Sequence, residues 1–355
     1  MNLIRSKFGI LLILSVFLLL ISGCGGVKEA ATREVIAPPE TVPEETEPPQ
    51  PEVPAYTAPL TGLPAEAPVT RRPLAVMINN APAARPQSGL MDADLVYEVL
   101  AEGGVTRLVT IYQSKADSAK IGPIRSIRPY MIELGESHHG VLVHAGASND
   151  AFAILQRQHK EDLDEITNAG AYFWRDKSRK APHNLYSNPE KLLEGTEKRG
   201  FATEDTNAPG YTFYREGEEP VSGQAANRVE IKFQLDNYRV SYEYDAASGR
   251  YKRFINGEPH TDLETGEQLT AANVAVLGAE HRVLDDVGRL DVGLELGGDA
   301  IVFEKGKMIR AEWIHKKGDI IRFIVDNQEL PFVPGNTFIH VVPVSPDFDS
   351  HVAVE

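Results

Sequence analysis

GPIRSIRPYMIELGESHHGVLVHAGASNDAFAILQRQH, residues 122–159, decides the fold class. Ile127, Tyr130, Met131 and Leu134 recur at i, i+3, i+4 and i+7, which predicts one face of a helix. Pro129 suits its first turn, where a missing N–H costs no hydrogen bond. The run VLVHAG then reads as a short strand, and Ser148 or Asn149 as the cap of a second helix. Upstream, PLAVMINN (73–80) is a buried-strand run that ends in turn residues. DLVYEVLAEGGVTRLVTIYQS (94–114) is two β-rich segments about Gly103–Gly104, as in a hairpin. Strands alternating with helices predict an N-terminal α/β domain with a mixed sheet, over residues 71–205.

Beyond residue 226 the pattern changes. VEIKFQLD, RVSYEYD, RYKRFING, AIVFEKG and TFIHVVP are short β-prone runs, split by turn sequences such as DAASGR, EKGK and KKGD. They predict a mainly antiparallel C-terminal β domain over 226–350, so the whole chain is α+β. The Gly-, Pro- and Glu-rich stretch 200–225 is the expected boundary.

The N-terminus reads as an address. Arg5 and Lys7 precede an apolar run from Phe8 to Ile21 that ends in ISGC. That run has signal-peptide length, too short for a spanning helix. Its end resembles a bacterial lipobox, which makes residues 1–23 a lipoprotein signal peptide and Cys24 the lipidated residue. Cys24 is the sole cysteine, so no disulfide forms within one molecule. Residues 24–70, rich in Pro and Glu, read as a disordered, extended tether. The expected location is the extracytoplasmic face of the cell membrane, with the lipid as anchor. The formal net charge of -15 becomes -17 once residues 1–23, whose only charges are Arg5 and Lys7, are removed. Such a chain is repelled by nucleic acid, which is excluded as a partner.

Against that charge, Arg125 and Arg128 are conspicuous. A helix N-terminus favours anions, and a cation there costs up to about 1 kcal/mol. An anion between the guanidiniums and the free amides resolves the conflict. Either Glu98, Glu102 or Asp92 supplies it from within, or a ligand supplies it from outside. His144 at a strand end and Ser148 at a helix start lie where α/β folds gather ligands. GASND lacks the last glycine of a G-x-S-x-G nucleophile elbow, so Ser148 reads as a cap or a ligand contact, not a nucleophile. AYFWRDKSRKAPHNLY (171–186) is a positive island. It carries Arg175, Lys177, Arg179 and Lys180 against Asp176 alone, interleaved with aromatic residues, His183 and Asn184. Aromatics beside arginines suit sugars by stacking and phosphates or carboxylates by charge. His260, Asp262, Glu264 and Glu267 alternate in NGEPHTDLETGE, which reads as a polar hairpin loop; no metal or other cofactor is expected.

GPIRSIRPY, HAGAS, FWRDKSRKAPHNLY and NGEPHTDLETGEQLTAANVAV, in that order, resemble the YerB-like lipoproteins of Gram-positive bacteria. The likeness covers nearly all of residues 70–345. It implies a two-part extracytoplasmic fold on a lipid anchor, and it implies no reaction. The residues expected to bind an anionic ligand are Arg125, Ser126, Arg128, His144, Ser148, Arg175, Arg179, His183 and Asn184. Cell-wall polymers or an envelope protein are the expected partners. A wall-polymer-processing enzyme of phosphoryl-transfer or hydrolase type is the alternative, with catalytic residues unassigned. A scaffold with internal arginine struts is the third.

Overall fold

A computed structural model of the chain describes residues 55–355 apart from 116, 219, 221 and 222. The signal peptide, Cys24 and the tether up to residue 54 lie outside the described residues. The described residues form one compact unit.

The first half contains β1 (Leu74–Asn79), β2 (Leu95–Leu100), β3 (Thr106–Tyr112), α1 (Pro129–Ser137), β4 (Val141–His144), α2 (Asn149–Arg157), β5 (Asp162–Asp164) and α3 (Pro189–Lys198). β2 and β3 form the hairpin expected about Gly103–Gly104. The second half is almost wholly β. It contains β6 (Arg228–Lys232), β7 (Arg239–Asp245), β8 (Arg250–Ile255), β9 (Asn273–Val283), β10 (Leu290–Gly293), β11 (Gly298–Glu304), β12 (Lys307–Ile314), β13 (Arg322–Val325), β14 (Thr337–Pro343) and β15 (Val352–Val354).

One mixed sheet runs through both halves in the order β13-β12-β11-β9-β14-β2-β3-β1-β4-β5. The halves join where β14 lies parallel to β2, with Thr337 opposite Leu95 and Val341 opposite Val99. A smaller antiparallel sheet, β8-β7-β6-β15, covers part of one face. The alternation of β2 shows the layering. The Tyr97 hydroxyl meets His138 (2.9 Å) at the end of α1, whereas Glu98 reaches Arg253 of β8 (2.6 Å) on the opposite side.

α1 begins at Pro129, as the proline in the first turn indicated, so Ile127 lies outside the helix whose face it was expected to share. Ile127 is fully buried but extended, paired with Ala147 across a parallel bridge. Its apolar side chain belongs to the sheet layer, which mimics helical spacing in the sequence. α1 rests closely on the sheet: a Cβ on Gly135 would lie 2.5 Å from Leu142 and 2.9 Å from Ala75. The order also starts earlier than composition indicates. Tyr56–Thr57 pairs with Pro64–Ala65, and Ala58 and Leu60 are buried. A Pro- and Glu-rich window concealed these anchors. Likewise Tyr211 and Phe213 of the expected boundary pack on or bridge to Phe332.

Candidate anion-binding site

β1, β4 and β5 run parallel and end at Asn79, His144 and Asp164. Carboxyl ends of parallel strands are where α/β proteins collect ligands. Here residues 123–127 run between the ends of β1 and β4. Asn79 N–H donates to Pro123 O and Arg125 N–H to Met77 O, both at 2.8 Å. On the other side Ala145 N–H donates to Arg125 O (3.1 Å) and Ile127 N–H to Gly146 O (3.0 Å). The segment is thereby held at the strand ends by four backbone bonds, two of them made by Arg125 itself.

Arg128 is the N-cap residue of α1, with extended backbone (φ -127°, ψ 160°), so it and Arg125 do not share a helix face. Its guanidinium donates twice to the Glu102 carboxylate, through Nε to Oε1 and at 2.9 Å to Oε2. Burial acts to raise the Glu102 carboxyl, but the bonds and charge of Arg128 outweigh it and hold the group below its ordinary value. Arg107, opposite Asn79 in β3, is buried with only 8% of its surface exposed. It donates to Ser126 O (2.8 Å) and lies 4.0 Å from Glu102, while its Nε has no acceptor. Burial, then the neighbouring Arg128, pushes its pKa down to about 10.

Of the three internal anions considered for the arginine pair, Glu102 serves Arg128. Asp92 instead accepts from Ser118 (2.6 Å) and lies 3.7 Å from Lys115. Glu98 belongs to the core. Among the described residues, none gives the Arg125 guanidinium a hydrogen bond or ion pair. Its pKa is lowered, first by burial and then by Arg128; the charge of Glu102 opposes this, and Arg175 adds to the lowering.

Arg175 donates to Glu165 (3.2 Å) and to Asn184 Oδ1 (3.1 Å). His183 accepts at Nδ1 from the Asn79 amide (2.8 Å), whose Oδ1 takes Ala81 N–H (3.1 Å). With Nδ1 an acceptor, Nε2 carries the proton and is a second donor. Burial, then Arg125 and Arg179, lowers the His183 pKa. Three guanidiniums near Arg125 thus take the two carboxylates: Arg107 and Arg128 share Glu102, and Arg175 holds Glu165.

The other expected residues are placed differently. His144 is fully buried, with Nδ1 3.0 Å from Gly146 O and Nε2 3.3 Å from Asp162. Ser148 caps α2, accepting from Ala151 N–H (3.3 Å). Arg179 fastens the loop after β1 by donating to Ala84 O and Pro86 O, both at 2.6 Å. Asn184 joins Arg175 to the carbonyls of Asp176 and Arg179. Ser126 contributes its carbonyl to Arg107. Arg107 and Asn79 were not singled out in the sequence, although the polar pair Asn79–Asn80 at a strand end was a visible signal.

Residues 60–202 match the family described as "Protein of unknown function (DUF3048) N-terminal domain", and residues 229–339 match its C-terminal domain. The chain belongs to this family. It is 37% identical over 287 residues to "Putative lipoprotein YerB" of Bacillus subtilis (strain 168), covering 81% of this chain and 86% of that one. The crystal structure of YerB protein from Bacillus subtilis superposes with a TM-score of 0.77 at 35% identity, over 84% of this chain and 99% of that one. The DUF3048 halves meet in this chain around a buried polar network. Arg253 is bonded to Glu98 (2.6 Å), to the Tyr242 hydroxyl, and through Nε to His260 Nδ1 (3.0 Å). Tyr238, Thr106 and Asn80 also converge on Glu98 Oε1. His260 continues to Gln87 (2.7 Å), so it faces inward from its loop. Asp262 accepts from Leu90 N–H (2.9 Å). These residues are spent on joining the halves.

Proposed function

We propose that the protein is a lipoprotein of the extracytoplasmic membrane face that binds an anionic envelope ligand at the Arg125 site. The observation that carries this reading is the Arg125 guanidinium. It is fixed by its backbone at the strand ends, beside cations that have used the local carboxylates. Concentrated positive charge in a chain of formal charge -15 calls for a complementary anion. The family relative's name supports the lipid anchor, as does the lipobox-like end at Cys24. Arg128 plays the internal-strut part of the scaffold reading, and Arg125 does not. Teichoic acid and peptidoglycan fragments fit by charge and location.

The test compares two single variants in binding to purified wall polymers. Arg125→Ala is expected to reduce affinity at least about tenfold, with stability within about 0.5 kcal/mol of the parent. Arg128→Ala is expected to lower stability by about 1–3 kcal/mol, because it leaves Glu102 without its bidentate partner. Unchanged binding by a folded Arg125→Ala protein removes this site from consideration.

A further inference from the structure

We propose that the ligand of the Arg125 site is an amphiphile, a phosphate headgroup bearing an aliphatic chain that lies on the tip of the β9–β10 hairpin. This rests on the anion-site reading and adds the ligand's second half. At that tip Val283, Leu284 and Val287 are 62%, 46% and 72% exposed. Leu296, also 72% exposed, lies against Gly293 at the other end of β10, beyond the exposed Arg282–Asp291 pair, and is not part of the tip. Tips of hairpins are ordinarily polar, and adjacent exposed aliphatics mark interaction surfaces.

The tip's position connects it with the cations. A Cβ on Gly288 would lie 3.8 Å from Gly103 N, in the β2–β3 turn whose Glu102 holds Arg128. Lower on the hairpin, Asp291 and Val292 line a cleft of about 790 Å³ with Pro129, Tyr130 and Ile132 at the start of α1. The hairpin therefore flanks the Arg128–Glu102 pair from both the turn and the helix. Asp285 is satisfied within the tip by Arg289 and by Val287 N–H (3.0 Å), and Asp286 is exposed.

The headgroup chemistry follows from the donors. Arg175 and His183 lie within electrostatic reach of Arg125, and N–H donors of these three types suit the three oxygens of a phosphate. A bare anion leaves the aliphatic tip in water. An acyl or isoprenoid chain covers it, and burying only two methylenes strengthens binding about tenfold.

The test uses residues 25–355, which contain the whole compact unit, with glycerol 3-phosphate and monomeric dihexanoyl phosphatidic acid as calorimetric probes. Dihexanoyl phosphatidic acid is expected to bind at least about tenfold more tightly. The V283S/L284S/V287S variant is expected to bring it to the glycerol 3-phosphate level without changing binding of glycerol 3-phosphate. V287S alone, at the most exposed of the three positions, moves affinity in the same direction. Arg125→Ala is expected to abolish binding of both probes. Equal affinities for the two probes, both lost in Arg125→Ala, overturn the chain surface and leave the anion site standing. Failure of both probes to bind, or insensitivity to Arg125→Ala, overturns both. Binding to phosphatidic acid vesicles without binding to the monomeric lipid overturns the single-amphiphile proposal in favour of a membrane surface.

Discussion

At the scale of single residues, buried charges are handled in different ways. Glu98 and Arg253 are both fully buried, and burial alone would hold the carboxyl neutral. The positive charge of Arg253 and contact with His340 win, and the Glu98 carboxyl lies well below its ordinary range. Removing one partner strands the other charge in the core. Arg253→Met is therefore expected to cost about 3–5 kcal/mol, read from the shift of a urea unfolding curve. Glu304 has the opposite sign. It is fully buried, and burial raises its pKa from 4.5 to about 7, with Tyr214 and the Val333 amide only partly opposing the shift. Because the folded value is the higher, its contribution to stability is full below pH 4.5 and is lost as pH rises through about 7. Glu304→Gln is expected to flatten the fall in melting temperature between pH 4.5 and 7, measured by calorimetry across that window. An unchanged slope would show that another group sets it.

At the scale of elements, close approach decides what a position tolerates. Gly135 lets α1 settle on Leu142 and Ala75. Gly135→Ala removes a helix-weakening glycine but forces the helix away from the sheet, so a net loss of about 1–3 kcal/mol is expected in thermal unfolding. The same elements show what a sequence can disclose. The β2–β3 hairpin, the Ser148 cap and the strand β4 were readable, because apolar runs, turn glycines and caps act locally. Pro129 opens α1 as its place in the first turn indicated, but Ile127 does not belong to the helix, because it has helical spacing with sheet-layer burial. The candidate site was partly readable. Arg125 and Arg128 stood out by charge, yet the assignment of Glu102 to Arg128 depends on the turn of a distant hairpin. His144 and Arg179 had the right residue types, but burial of one and the carbonyl partners of the other are products of packing.

At the scale of the whole molecule, the parallel pairing of β14 with β2 makes one sheet of two halves, and the Glu98–Arg253 network ties the smaller sheet to it. The halves are therefore expected to unfold together, in a single calorimetric transition whose van't Hoff and calorimetric enthalpies agree. Two resolved transitions would show that the junction is weaker than its hydrogen bonds imply.

That pairing has a consequence for how the molecule comes into being. Synthesis delivers residue 95 long before residue 337, its neighbour in the finished sheet. Until then the outer edge of β2 presents open N–H and C=O groups, a template for any other strand nearby. Closing so distant a contact is slow, since a long loop must be ordered before the pairing rewards it. A nascent or truncated chain that stops short of β14 is thus the molecule's most vulnerable form, prone to pair with its own kind.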